Sequence, residues 1–217
     1  DVDLSAATTV VLGSQSPADF NVTYHLNQND ADTNTNALPL TFYNSTPFAQ
    51  TIFVRIENVL NTDCFDTSSF VVEVFATPTA NTPSNIDVCD DNNDGVFDFD
   101  FDPDVTNEVL GSQLAADFNV LYFTSQADAD AGSNPISLPF SNTSNAQQIF
   151  VRIENVLNTT CYDTTSFIVE VFDTPTANVV DTLSFCDDGI DGSLTNGQMD
   201  VDLSAATTVV LGSQSPA

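Results

Sequence analysis

The sequence predicts an all-β fold: tandem immunoglobulin-like β-sandwich modules in a linear array. Three observations predict it. The first is repetition. Residues 1–18 recur unchanged as residues 200–217, and FVRIENVLNT at 53–62 returns identically at 150–159. ADFNV occurs at 18–22 and 116–120, VEVF at 72–75 and 169–172, and TPTAN at 77–81 and 174–178. Self-similarity of this kind marks an array of supersecondary units. The second is period-two alternation in segments rich in Val, Ile and Phe, the signature of half-buried strands. The third is turn chemistry: Asn, Asp, Thr, Ser, Gly and Pro fill the stretches between, with no strong helix pattern.

The elements follow in order. LSAATTVVLG at 4–13 is open to two readings. Its alanines and closing glycine suit a short helix or turn, while the β-branched TTVV suits extended chain. DFNVTYHL at 19–26 and DFNVLYFT at 117–124 read as one repeated strand. NQNDADTNTN at 27–36 reads as a loop. TIFVRIENV at 51–59 and SFVVEVF at 69–75 read as a hairpin, repeated by QIFVRIENV at 148–156 and SFIVEVF at 166–172. VFDFDFD at 96–102 alternates strictly. On a strand, Phe97, Phe99 and Phe101 face one side and Asp98, Asp100 and Asp102 the other.

TPTAN closes each unit, its proline stopping the strand and stiffening a linker. Residues 1–76 are then a module lacking its first strand. Residues 77–173 are a complete module with its leading linker. Residues 174–217 are a linker and the N-terminal part of a third module. The two end pieces are complementary: joined head to tail they make one unit. The first residue falls in mid-unit, so the sequence reads as a window on a longer chain. It contains no Trp, so the antibody Cys…Trp…Cys signature is absent.

Charge excludes whole classes of partner. Against 31 Asp and Glu stand two basic residues, for a net charge of −29. Nucleic acid is excluded as a partner, because phosphate binding requires Lys and Arg. Anionic membrane surfaces are excluded by the same repulsion. Direct membrane insertion is not expected, because the longest apolar run falls far short of ~20 residues. The chain is nevertheless 41% hydrophobic with 17 Phe, enough to build cores.

The acidic loops are the candidate metal sites. Asp90, Asn92 and Asp94, followed by Gly95, match the opening of a calcium loop, D-x-[DN]-x-[DN]-G. Alternating oxygens wrap a hard cation and the glycine permits the sharp turn. Phe101 stands where the closing glutamate of an EF-hand would be, so Asp100 or Asp102 is the later carboxylate. The second loop keeps the first and fifth ligands, Asp187 and Asp191, and loses the third. The expected cofactor is Ca2+; the competing reading is an ordinary Asx/Gly turn.

Cys64, Cys89, Cys161 and Cys186 occupy two repeated positions, which suggests disulfides and an oxidising compartment. A zinc site has little support, with no CxxC and one His. Cys64–Cys89 with Cys161–Cys186 is one pairing; Cys89–Cys161 within the complete module is the other. The second is preferred, because an Ig-like sandwich starts its first strand at the end where its last hairpin turns. Disulfide Cα atoms must approach within about 7 Å.

Catalysis is not expected. His25 has Phe123 as its counterpart and no evident partners for a triad. Arg55 and Arg152 hold the same place in the same strand, and each is expected to pair with a carboxylate of its own module.

CDDNNDG with its Phe/Asp strand, LGSQ, ADFNVLYFTSQADADAGSNPI, QIFVRIEN, TTCYDTTSFIVEVF and a Pro-containing linker follow in that order. The string resembles the tandem repeats of giant cell-surface proteins of gliding and marine Bacteroidota, adhesins and filament-like proteins exported by the type IX secretion system. The resemblance implies an extracellular, cell-surface location and a calcium-assisted stalk or adhesive fibre. The expected function is therefore the shaft of a secreted surface fibre or adhesin, serving attachment or gliding. Its partners would be neighbouring repeats or subunits of the same fibre. The alternative is a calcium-dependent module that grips surface glycans.

Overall fold

The computed structural model describes residues 1–190 and 192–215. Asp191, one of the expected metal ligands, lies outside the described residues. The first repeat runs β1 (Val2–Asp3), α1 (Ser5–Leu12), β2 (Phe20–His25), α2 (Gln28–Thr33), β3 (Thr41–Phe42), β4 (Ala49–Asn58) and β5 (Asn61–Glu73). The second opens with β6 (Ile86–Asp90) and then repeats the same order: β7 (Asp98–Phe99), α3 (Asp104–Leu110), β8 (Phe118–Phe123), α4 (Gln126–Ala131), β9 (Phe140–Ser141), β10 (Gln147–Asn155) and β11 (Tyr162–Asp173). The final segment carries α5 (Ser204–Leu211). The chain is all-β in class, in tandem modules, with two short helices in each repeat.

In the first repeat an antiparallel sheet of order β2-β4-β5 is joined by the small pair β1-β3. In the second the sheet gains a strand, with order β6-β11-β10-β8, and the small pair is β7-β9. The added β6 runs parallel to β11, with Ile86 beside Val169 and Asp90 beside Asp173. Compact packing divides the described residues into two units. One comprises 1–79, 113–119 and 153–163; the other comprises 80–112, 120–152 and the residues from Thr164 on.

The alternation read from the sequence sets the core. Ile52 and Val54 on β4 are buried, as are Ile149, Val151 and Ile153 on β10. In the first repeat they pack with Leu4, Tyr24 and Phe42. In the second, Phe101 is fully buried and meets Phe99, Tyr122, Phe140 and Phe167 ring to ring. Such aromatic contacts add to plain area burial. The Phe/Asp segment keeps its two faces, with Phe99 and Phe101 inside and Asp98, Asp100 and Asp102 outside. Only Asp98–Phe99 pairs as strand, because Pro103 follows and α3 begins at Asp104. The hairpin turns are fixed by asparagine side chains. Asn58 Oδ1 accepts from the amides of Leu60 and Asn61, and Asn155 Oδ1 from those of Leu157 and Asn158.

One segment takes the first of its two readings, and another differs from the sequence reading. LSAATTVVLG resolves as a helix, in which Val11 packs against the core and the Thr8 hydroxyl lies 2.8 Å from the Tyr24 hydroxyl, while Val10 is exposed. Residues 27–36, read as loop, contain α2. Asn27 caps it by accepting from the Asp30 amide, and Asn34 closes it in the left-handed region at φ 50°. Asn and Asp favour turns and helix caps for the same reason, a short side chain that bonds nearby backbone.

Tyr122 packs at the centre of the second repeat, with its hydroxyl 2.7 Å from that of Thr106. Burial pushes its pKa from 10.0 up to about 12. The neutral phenol is therefore favoured in the folded state. Its contribution to stability is complete below the unfolded value of 10.0 and is lost as pH rises toward about 12. Urea unfolding between pH 9 and pH 12 should show this loss, and Tyr122→Phe should flatten it.

Candidate functional site: buried arginines, acidic loops, cysteines and linker clasps

The arginines are structural anchors. Arg55, on the central strand β4, is 4% exposed. Its Nε donates to Glu57 Oε2 at 2.7 Å. Its Nη1 donates to the carbonyls of Ala31 and Asp32 at 3.2 and 3.0 Å, in the last turn of α2. Its Nη2 donates to Thr62 O at 2.8 Å on β5, and the guanidinium lies 3.6 Å from the centre of the Phe65 ring. One cation thus adds donors to the carbonyls at a helix end and ties helix to hairpin. Arg152 repeats the arrangement, donating to Ala129 O at 3.0 Å and Asp130 O at 2.9 Å in α4. The carboxylate partner expected for Arg55 is Glu57. His25 is equally enclosed: Nδ1 donates to Thr35 O at 2.7 Å and Nε2 lies 3.0 Å from Thr23 Oγ1. Removing a buried cation leaves its partners uncompensated. Arg55→Ala should therefore destabilise the first repeat by about 3–5 kcal/mol in chemical denaturation.

The first acidic loop closes on its own backbone. Asp90 is fully buried; its Oδ2 accepts from Gly95 N at 2.6 Å and its Oδ1 from Asn92 N at 3.1 Å. Asn92 Oδ1 accepts from Asp94 N, and Asp94 Oδ1 from Val96 N. Asp100 stands on the exposed face of the Phe/Asp segment. Among the described residues no three His, Cys, Asp or Glu side chains gather as a metal cluster would, so Asp90, Asp94 and Asp100 do not converge. The loop is an Asx-type turn that also holds the chain leaving β11. Thr174 N donates to Asn93 Oδ1 at 2.8 Å, Asn93 Nδ2 to Thr174 O at 3.2 Å, and the Thr174 hydroxyl to Asp90 O. In the second loop Asp187 accepts from Gly189 N at 3.3 Å and Gly197 N at 2.9 Å.

The Gly95 amide is the main cause holding the Asp90 carboxyl below its ordinary 3.8, with the Asn92 amide adding to it. This contribution to stability is complete above 3.8 and is lost as pH falls through the lowered folded value. Acid titration followed by amide exchange at Gly95 should show the loop opening only below that point, and Asp90→Asn should remove the acid transition.

The cysteines do not pair as the sequence reading preferred. All four are free thiols in this structure. Cys89 sits beside Phe172, near the end of β11. Cys161 directly precedes Tyr162, where β11 starts. At about 3.3 Å per residue the length of the strand separates them by roughly 36 Å, far beyond disulfide reach. The expectation failed on direction. β6 enters beside Val169, midway along β11, and runs away from the hairpin turn.

A further feature escaped the sequence reading. Each TPTAN linker clasps the helix of the repeat it leads into. Thr79 N donates to Gln113 Oε1 at 2.9 Å, and Gln113 Nε2 returns to Thr79 O at 2.7 Å. Asn81 donates twice to Val109 O, from its backbone N at 3.2 Å and its Nδ2 at 2.9 Å. Thr176 with Gln214 and Asn178 with Val210 reproduce all four bonds. A Cβ at Gly111 would lie 2.8 Å from Asn81 Nδ2, and one at Gly212 2.5 Å from Asn178 Nδ2, so each LGSQ glycine admits the asparagine. The recurrence of TPTAN and LGSQ together was the signal available. Gln113→Ala should speed amide exchange at Thr79 about tenfold, the equivalent of one hydrogen bond at 1–1.5 kcal/mol.

No curated protein matches the chain. A family model does match, over residues 1–78 and again over 85–175: the Flavobacterium inter-domain disulphide bond domain. With two copies spanning most of its length, the chain belongs to that family, which places it in the Bacteroidota.

Proposed function

We propose that this chain is part of the structural shaft of a secreted, cell-surface fibre or adhesin that serves attachment or gliding. The observation that carries this reading is duplication of the polar machinery. The buried arginine, the capped short helix and the linker clasp recur at equivalent positions, and each satisfies backbone within its own surroundings. Polar groups spent this way hold repeats and linkers in place, as a quasi-linear array requires. The family description supports covalent ties between domains, and such ties persist in oxidising, extracellular surroundings. The partners in this reading are neighbouring repeats or subunits of the same fibre, and no reaction is assigned.

The test is genetic and visual. Removing one repeat pair from the full-length gene should shorten the surface fibre in electron micrographs by a fixed step, with attachment retained. The second reading, a calcium-dependent glycan-binding module, draws on the Asp90–Gly95 motif. It predicts the opposite: unchanged fibre length with loss of calcium-dependent retention on immobilised glycans.

A further inference from the structure

The strand that opens the second repeat, β6, lies parallel to the strand that closes it, β11. Their contact extends beyond the ladder at both ends. Upstream of β6, Thr82 Oγ1 lies 2.9 Å from Thr165 Oγ1, and Ile168 N donates to Asn85 Oδ1 at 3.0 Å. The ladder then runs from Ile86 beside Val169 to Asp90 beside Asp173. Each of these pairs is 83 residues apart in sequence, so the two segments stay in step from Thr82 to Asp90. Past the ladder the acidic loop closes the far end. Asn93 Oδ1 accepts from Thr174 N at 2.8 Å, Asn93 Nδ2 donates to Thr174 O at 3.2 Å, and the Thr174 hydroxyl donates to Asp90 O. Val169 and Val171 on β11 are buried, which anchors that strand in the core. Ser84 N donates to Glu108 Oε2 at 2.6 Å, which seats the incoming segment on α3. The sequence continues on both sides of this arrangement, so all of its parts lie within the one repeat.

We infer that residues 82–93 and 164–174 are a mechanical clamp, which holds the second repeat folded when the chain is pulled lengthwise. Tension enters β6 from its N-terminal side and leaves β11 from its C-terminal side. In a parallel pair those two points lie at opposite ends of the ladder. The pull therefore slides one strand along the other, across the hydrogen bonds, and all the rungs resist together. β10 and β11, joined by a hairpin turn, would instead part rung by rung if drawn from their free ends. β7 to β10 lie inside the loop that the ladder closes, and tension bypasses them while it holds. The acidic loop gains a role here: it fastens the exit, where the chain leaves β11 under strain. The inference deepens the shaft reading and rests on it only for the source of the pull.

Force-clamp measurement tests it, on the 217-residue chain tethered by its two ends with its thiols kept reduced. At a full stretch of about 3.3–3.6 Å per residue, the segment from Ile86 to Asp173 should lengthen in one step of roughly 300 Å. The waiting time before that step reports the unfolding rate under force. Asn85→Ala removes one bond to β11 and should shorten the wait about fivefold to tenfold. Asn93→Gly keeps the left-handed turn at φ 58°, removes both bonds to Thr174 and should shorten it further. Both asparagines are exposed, and circular dichroism checks that each variant keeps its fold. Ile149→Val is the contrast. It sits in the core inside the closed loop, which is still intact when the clamp yields. It should lower the urea midpoint and leave the wait under force at the wild-type value. Gradual lengthening without the single step would overturn the inference. So would unchanged waits in Asn85→Ala and Asn93→Gly, or an Ile149→Val wait as short as theirs. A failed clamp would leave the fibre-shortening test of the shaft reading untouched, and an unshortened fibre would leave these waiting times untouched.

Discussion

Each repeat turns on a guanidinium buried at the middle of its sheet. Arg55 and Arg152 are the only cationic side chains among 31 acids. Neither faces solvent, where excess negative charge would attract it. Each is drawn inside by carbonyl oxygens at the end of a short helix, and Arg55 by a carboxylate two residues along its own strand. A planar fork of donors can serve a helix end and a facing strand at once, which lysine's single ammonium cannot. Without that anchor α2 and α4, six residues each, would be far below the length at which a helix holds by itself.

The same economy governs the asparagines. Asn58 and Asn155 shape the hairpin turns, Asn27 and Asn34 cap and close α2, and Asn81 and Asn178 fasten linkers. Each supplies a neutral donor and acceptor where the chain must turn. A protein with almost no basic residues has few charged donors to spend on backbone oxygens, so amides take that work.

How far the fold was legible follows from which residues carry local signals. The strands of each hairpin and the Phe/Asp faces were legible because side-chain alternation acts locally. α2 was hidden because DADTNTN has the composition of a loop, and only the spacing from Asn27 to Asp30 betrays a cap. The acidic motif was legible as a turn and ambiguous as a metal site, since Asx turns and calcium loops open on the same residues. The direction of β6 was not legible at all. Parallel addition midway along β11 is a choice made by tertiary packing, and it separated Cys89 from Cys161. The clasp between Thr79 and Gln113 joins two short motifs that mean nothing alone.

The outward row of Asp98, Asp100 and Asp102, repeated in kind along an array, makes the chain a polyelectrolyte. A row of fixed anions gathers mobile counterions and resists bending, because curvature crowds like charges on the inner side. Over a Debye length of about 8 Å at physiological ionic strength, two such chains repel before they touch. Dilution of the medium would lengthen that reach and stiffen the chain, and concentrated salt would let chains approach one another.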